Sequence, residues 1–304
     1  MDEFPSIPDL FEFLENDNSW NEIGKSYLFI VELIAKCGAE LFSKINLKYN
    51  IKRDIDDFRF YSGRYLLRSL RIFNSIVLLS IYQSIFEAEM LSRPLLDNIA
   101  ETKYFLKSRR AKAIRKIQLY ELINKKREYE ATYAKDFERY TDQDGNVILS
   151  KYIFEQGELL RKEISEKLLN YCNDEIIKME KYIGKNLSWH GLHPKELFKR
   201  LNMQDIDIER YYNACKLIHI REEIPLHVGN KKDFYAKSKI LQISLLILDH
   251  ANDFIAICPA TFASLETKSS LENYYKNINI TIEKECNQYD PKIMELVKLV
   301  PVIE

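Results

Sequence analysis

Residues 23–45 read IGKSYLFIVELIAKCGAELFSKI, with apolar side chains at Ile23, Tyr27, Ile30, Leu33, Ile34, Cys37, Leu41 and Ile45. Steps of three and four put all of these on one face of an α-helix, whereas a half-buried strand needs strict alternation. The same period recurs at Phe58, Tyr61, Tyr65, Leu66, Leu70, Phe73, Val77 and Tyr82, in a run that Asp54 opens. It continues through Glu89 to Lys107. Pro94 predicts a kink or a new helix start there, because it lacks an N–H and its ring crowds the preceding turn. A nearly unbroken apolar run from Asp233 to Ile257 predicts a central helix. Shorter helices are expected at 9–15, 195–202 and 211–219, with one or two more beyond Thr267. Gly and Pro number eight each in 304 residues, too few for a sheet protein full of tight turns. The expected fold is all-α, a multi-helix bundle.

Two long polar helices, 109–140 and 151–183, flank Thr141-Asp-Gln-Asp-Gly-Asn146, the strongest turn signal in the chain. They predict a charged helical hairpin at 108–183 that projects from the bundle. Residues 1–107 would then supply the N-terminal helices and 184–304 the C-terminal ones, around one core. Asp142, Asp144 and Gly145 are spaced as in a calcium loop, but Tyr140 and Lys151 occupy its first and last ligand positions, so a turn is expected.

The formal net charge is −1, with no overall pull toward nucleic acid. Its distribution is uneven. No Lys or Arg precedes Lys25, while Lys107, Arg109, Arg110, Lys112, Arg115, Lys116, Lys125, Lys126 and Arg127 face only Glu121. Arg109, Arg110, Lys112, Arg115 and Lys116 are therefore candidates for nucleic-acid binding, the alternative being a solvated helix face. The cysteines (Cys37, Cys172, Cys215, Cys258 and Cys286) are odd in number and form no CxxC pair. Neither a zinc ribbon nor a disulfide framework is expected, and reduced thiols fit a cytoplasmic setting. The acidic start lacks the basic and apolar regions of a signal peptide. The longest apolar runs, 75–82 and 240–248, are about half the roughly 20 residues that a membrane span needs. No membrane association, metal or cofactor is expected.

Tyr211, Cys215 and His219 recur every fourth residue, and so do Arg93, Asp97 and Glu101. Each trio shares a helix face. Together they predict a polar seam in which Arg93 bonds Asp97 or Glu101 and the His219 imidazole is buried against that helix. Two readings fit: a satisfied network that fixes helix register, or a small pocket for an anion or nucleotide edge. In the second, Arg offers a bidentate fork and His a donor that titrates near neutral pH.

Ser188-Trp189-His190-Gly191, the helix from Lys195 to Leu201, and Tyr211-x3-Cys215-x3-His219 together resemble an uncharacterised bacterial and archaeal family, DUF 5677 in the domain-of-unknown-function series. Its Leu-x-Arg-x3-Glu helix is similar to Leu91-Ser92-Arg93-x3-Asp97 here. Cys215 stands where the family has Ser, and Asp97 where it has Glu. The resemblance spans roughly residues 70–230; it implies an all-helical fold and names the seam residues, without a mechanism. Trp189 reads as a loop anchor, or else as a platform for a base. His190 and His193 have no acidic or thiol neighbours to complete a metal set, and Pro194 signals a helix start.

Arg221-Glu-Glu-Ile-Pro-Leu-His227 has the Arg-then-His spacing of HEPN-type ribonucleases, which it resembles apart from Glu222, where a small polar residue is usual. That resemblance implies a metal-independent endoribonuclease, a toxin or antiphage defence effector, acting as a homodimer. Arg221 and His227 would be catalytic, with RNA as substrate. Imidazole can take the proton of the RNA 2′-OH while guanidinium stabilises the phosphorus centre. The alternative is a non-enzymatic helical module that binds a protein partner or nucleic acid through the basic stripe.

Overall fold

A computed structural model describes residues 21–43, 53–82, 84–131, 151–184, 188–203, 205–218, 232–264 and 276. The described residues form helices and no strand. In chain order these are α1 (Asn21–Ser43), α2 (Arg53–Ile81), α3 (Ile85–Met90), α4 (Ser92–Lys107), α5 (Arg110–Tyr129) and α6 (Lys151–Leu168). They continue with α7 (Asn173–Gly184), α8 (Pro194–Leu201), α9 (Asp205–Ile218), α10 (Lys232–Asn252) and α11 (Pro259–Ser264). The chain divides into two compact units, one formed by 1–107 with 198–304 and the other by 108–197. The expected helices at 9–15 and beyond Thr267, and the turn at 141–146, lie outside the described residues.

In the first unit α1 packs on α2, and α10 lies against both. Ile30, Leu33, Ile34, Leu66, Phe73, Val77, Ile240, Ile243 and Ile247 are fully buried there. Each such side chain contributes roughly 1.5–3 kcal/mol through loss of hydrated apolar surface. Phe58 stacks on Phe105 at a centroid distance of 4.9 Å, which ties α2 to α4. Gly63 sits against the Phe42 ring, where an added Cβ would come within 2.7 Å, so this crossing of α1 and α2 requires glycine. Glu40 on α1 accepts the Thr261 N–H at 2.7 Å and the Ala260 N–H at 3.2 Å. A carboxylate from one helix thus caps the start of another.

The periodic run from 54 to 107 is not continuous. It breaks after Ile81 and again at Leu91, giving α2, α3 and α4. Pro94 explains the second break: in the first turn of α4 its missing N–H has no intrahelical acceptor to lose.

In the second unit α5 packs on both α6 and α7. Leu119 and Ile123 meet Met179 and Ile183, while Leu122 and Tyr129 meet Ile164. The single helix expected at 151–183 is instead two, broken at Leu169–Cys172. Asn170 and Asn173 are poor helix formers, and the Glu175 carboxylate reaches back to the Cys172 N–H at 3.2 Å, restarting the helix as in a capping box. Arg115 clasps the break: its guanidinium donates to both Glu175 oxygens at 2.8 and 2.7 Å and to the Asn170 carbonyl at 3.2 Å. It also lies 4.7 Å from the centre of the Tyr171 ring. The unit runs on past 183 to Leu197 because the 188–193 loop folds back on it. Gly191, at φ 72°, lets the backbone approach the Tyr182 ring.

Candidate polar seam and basic face

The α4 and α9 helices pack side by side, and Arg93 and Asp97 of one trio meet Tyr211 and Cys215 of the other between them. Tyr211 is 4% exposed and stands edge-on to Phe198 at 5.0 Å. The Arg93 guanidinium carbon lies 5.7 Å from the Tyr211 ring centre, and its Nε is 3.9 Å from Asp97 Oδ2. Tyr211 lies within electrostatic reach of Arg93, Asp97 and the Cys215 thiol. The phenol thus sits beside both a cation and a carboxylate. Burial raises the Asp97 carboxyl despite Arg93, Arg68 and the phenol. Burial opposes charge on Arg93 as well, but Tyr211, Cys215 and Asp97 outweigh it and hold the guanidinium charged. Both side chains of the Arg93–Asp97 pair are about one-third exposed (32% and 38%), so solvent screens it to roughly 0–1 kcal/mol. That is less than the buried pair expected from sequence.

Glu101 does not pair with Arg93. Its nearest compensating charge is Arg68 on α2. Burial first, and then the Asp97 carboxylate one turn away, push the Glu101 carboxyl up to about 7 against that guanidinium. A carboxyl that titrates near neutral pH can give or take a proton under ordinary conditions. It also makes stability depend on pH. A carboxyl raised on folding contributes its full stability below the unfolded value, near 4.5, and loses it as pH rises through about 7. Glu101→Gln is therefore expected to stabilise the protein by about 3 kcal/mol at pH 8 and to change little at pH 4.5. Urea melts at the two pH values check this; equal effects at both would show that another group titrates.

A second polar network, absent from the sequence reading, lies among α3, α4, α9 and α10. Lys239, 6% exposed, donates to the Glu89 carboxylate and to Ser92 Oγ, the latter at 2.7 Å. Arg210 reaches Asp207 and Gln242, each at 3.5 Å. Lys103 Nζ lies 2.8 Å from Asp249 and 3.6 Å from Asp253. His250, fully buried, places Nδ1 3.5 Å from Asp253 Oδ2 and stands edge-on to Phe254. Burial lowers the pKa of Lys239, Arg210 and His250, while the carboxylates around Lys103 outweigh its burial and raise it. A partial signal was present in the sequence: Lys237, Lys239 and His250 stand among the apolar positions of this helix, without showing their partners.

On α5, Arg109, Arg110 and Lys112 are exposed and Lys116 is half-buried. Arg115 is committed to Glu175, which it holds down to about 2, so it belongs to the α5–α7 joint. Trp189 and His190 are buried, with ring centroids 5.4 Å apart. The Leu192 N–H donates to His190 Nδ1 at 3.1 Å, which leaves the ring proton on Nε2, beside Ser188 Oγ. Burial and then Lys116 push His190 down to about 4, and a neutral, internally bonded imidazole makes this turn a loop anchor.

His219, Arg221 and His227 lie outside the described residues. Among the described residues no group of three His, Cys, Asp or Glu side chains could hold a metal ion, and no helix is long and apolar enough to cross a membrane. No family model, curated protein or solved structure matches the chain.

Proposed function

We propose that this chain is a metal-independent endoribonuclease of the HEPN type, with Arg221 and His227 as its catalytic pair. The observation that carries the reading is the anchorage of α9. One side of that helix is held through the Tyr211 ring, over which the Arg93 guanidinium lies, the other through Arg210 and Asp207 to the network of α3, α4 and α10. The chain leads from α9 directly into the Arg221–His227 segment, so the anchorage favours a segment that must be positioned. Arg93, Asp97, Glu101, Tyr211, Cys215 and His219 act here as positioning groups. The meeting of Arg93 and Asp97 with Tyr211 and Cys215 across α4 and α9 also favours kinship with the DUF 5677 family, whose motif positions they occupy.

The chemistry is balanced without a cofactor. His227 takes the proton of a ribose 2′-OH, and the oxygen attacks phosphorus. The bond to the 5′-oxygen breaks, that oxygen takes up a proton, and Arg221 stabilises the crowded phosphorus centre. The product is a 2′,3′-cyclic phosphate, which water can open to a 3′-phosphate. A homodimer would bring two Arg/His pairs together, and light scattering would detect it. A toxin or antiphage effector of the cytoplasm is the setting we propose, in keeping with four free cysteines among the described residues. His227→Ala assayed on RNA is the decisive test. A protein without cleavage activity would instead be a helical module that binds a protein partner or nucleic acid.

A further inference from the structure

The N-terminal half of α5 carries its cations against the grain of helix electrostatics. Arg109, Arg110 and Lys112 stand exposed at the helix start, where the macrodipole is positive and carboxylates are favoured. No acidic residue occupies the first turn, and the Arg109 side chain makes no cap hydrogen bond. One turn further on, Lys116 is half-buried and faces Lys112; burial first, and then that like charge, lower its pKa. Like charges at this spacing destabilise a helix. Nearby carboxylates are engaged elsewhere, Glu175 by Arg115 and Glu180 by Lys126. Among the described residues no carboxylate pairs with Arg109, Lys112 or Lys116. Arg109, Lys112 and Lys116, held at a cost with no carboxylate among the described residues paired to them, call for an external anion.

We propose that Arg109, Lys112 and Lys116 form a binding face for the phosphodiester backbone of a single-stranded nucleic acid. Lys112 and Lys116 are offset by about 6 Å along the helix axis, comparable with the step between successive phosphates of an extended strand. An anionic membrane is the poorer match. The apolar residues of α5, among them Ile114, Ile117, Leu119, Leu122 and Ile123, are buried. A helix that rests on a bilayer needs such residues free to insert. Arg115 falls within the row by sequence but is bound to Glu175, so it takes no part. This face lies within the 108–197 unit and does not rest on the ribonuclease reading.

The test is fluorescence anisotropy of a labelled ~12-nucleotide RNA titrated with the full chain carrying His227→Ala, so that any cleavage cannot obscure binding. Affinity is expected to fall steeply with salt, with a log–log slope of about −2 for three phosphate contacts. The further double substitution Lys112→Glu and Lys116→Glu should weaken binding at least ~10-fold and flatten that slope. It should also melt no lower than its parent, because it relieves repulsion at the helix start. Lys178→Glu, an exposed change on α7, should leave affinity within about twofold. The proposal is overturned by an absence of RNA binding at low salt, by parental affinity in the double variant, or by an equal loss in Lys178→Glu. Binding to phosphatidylserine vesicles without binding to RNA would overturn it as well, in favour of a membrane.

Discussion

RNA cleavage is expected to fall by a factor of ~10²–10⁴ when His227 is replaced by alanine, with no change in thermal melt. The proposed step needs a group that is a free base near neutral pH and can hold the proton from the 2′-OH. An imidazole with an ordinary value near 6.5 meets that need, and alanine offers neither lone pair nor proton. The unchanged melt matters as much as the lost rate, because it separates chemistry from folding. Activity of the parent should rise with pH through the imidazole range, and the variant should lose that limb. Cleavage should continue in EDTA and leave cyclic or 3′-phosphate ends, since the attacking oxygen belongs to the substrate. A variant that cleaves at the parental rate, or products with 5′-phosphate ends, would exclude the proposed mechanism.

The largest loss of stability is expected from Glu89→Ala, at about 3–5 kcal/mol. The Lys239 ammonium lies in the interior with Glu89 as its carboxylate and Ser92 as a second acceptor. Removing the carboxylate leaves a positive charge where water does not reach, and Arg210, which Glu89 also helps to neutralise, loses compensation with it. The reverse substitution should cost much less. Lys239→Met keeps an unbranched chain of similar length, and the Glu89 side chain, 27% exposed, can turn to solvent. The double variant should therefore recover most of what Glu89→Ala alone loses, a coupling that chemical denaturation would measure. If Glu89→Ala unfolds at the parental midpoint, Lys239 does not depend on that carboxylate.

The helical architecture was legible because it rests on period alone: the faces marked by Tyr27, Ile30, Leu33 and Ile34 and by Leu66, Phe73 and Val77 are the buried ones. Breaks within a run were harder to see. Leu169–Cys172 carries no Pro or Gly, and its weak local signals, Asn170 and the Glu175 cap on Cys172, are reinforced by Arg115, distant in the chain. The seam was half legible. Helical spacing grouped Arg93 with Asp97 and Tyr211 with Cys215, but could not show that Glu101 faces Arg68 on another helix. The α3–α4–α9–α10 network went unseen for the same reason. Glu89, Arg210 and Lys239 come from three separate helices, so nothing in their sequence positions relates them. Within the basic stripe, spacing could not show that Arg115 is engaged by Glu175 and Asn170, sixty and fifty-five residues on.

The unit formed by 1–107 and 198–304 is interrupted in sequence by the whole of the other, and this bears on how the chain reaches its native state during synthesis. The 108–197 unit has its partners within one contiguous stretch and can begin to pack once that stretch is made. The larger unit must wait. The face of α1 that bears Ile30, Leu33, Ile34 and Cys37 is covered in part by α10, and the N–H groups that Glu40 caps arrive only when Ala260 and Thr261 have been added. Until then, among the described helices, this early, greasy helix packs chiefly against α2. The nascent chain is thus most prone to aggregation between the completion of its middle unit and the arrival of α10, the interval in which a chaperone has most to protect.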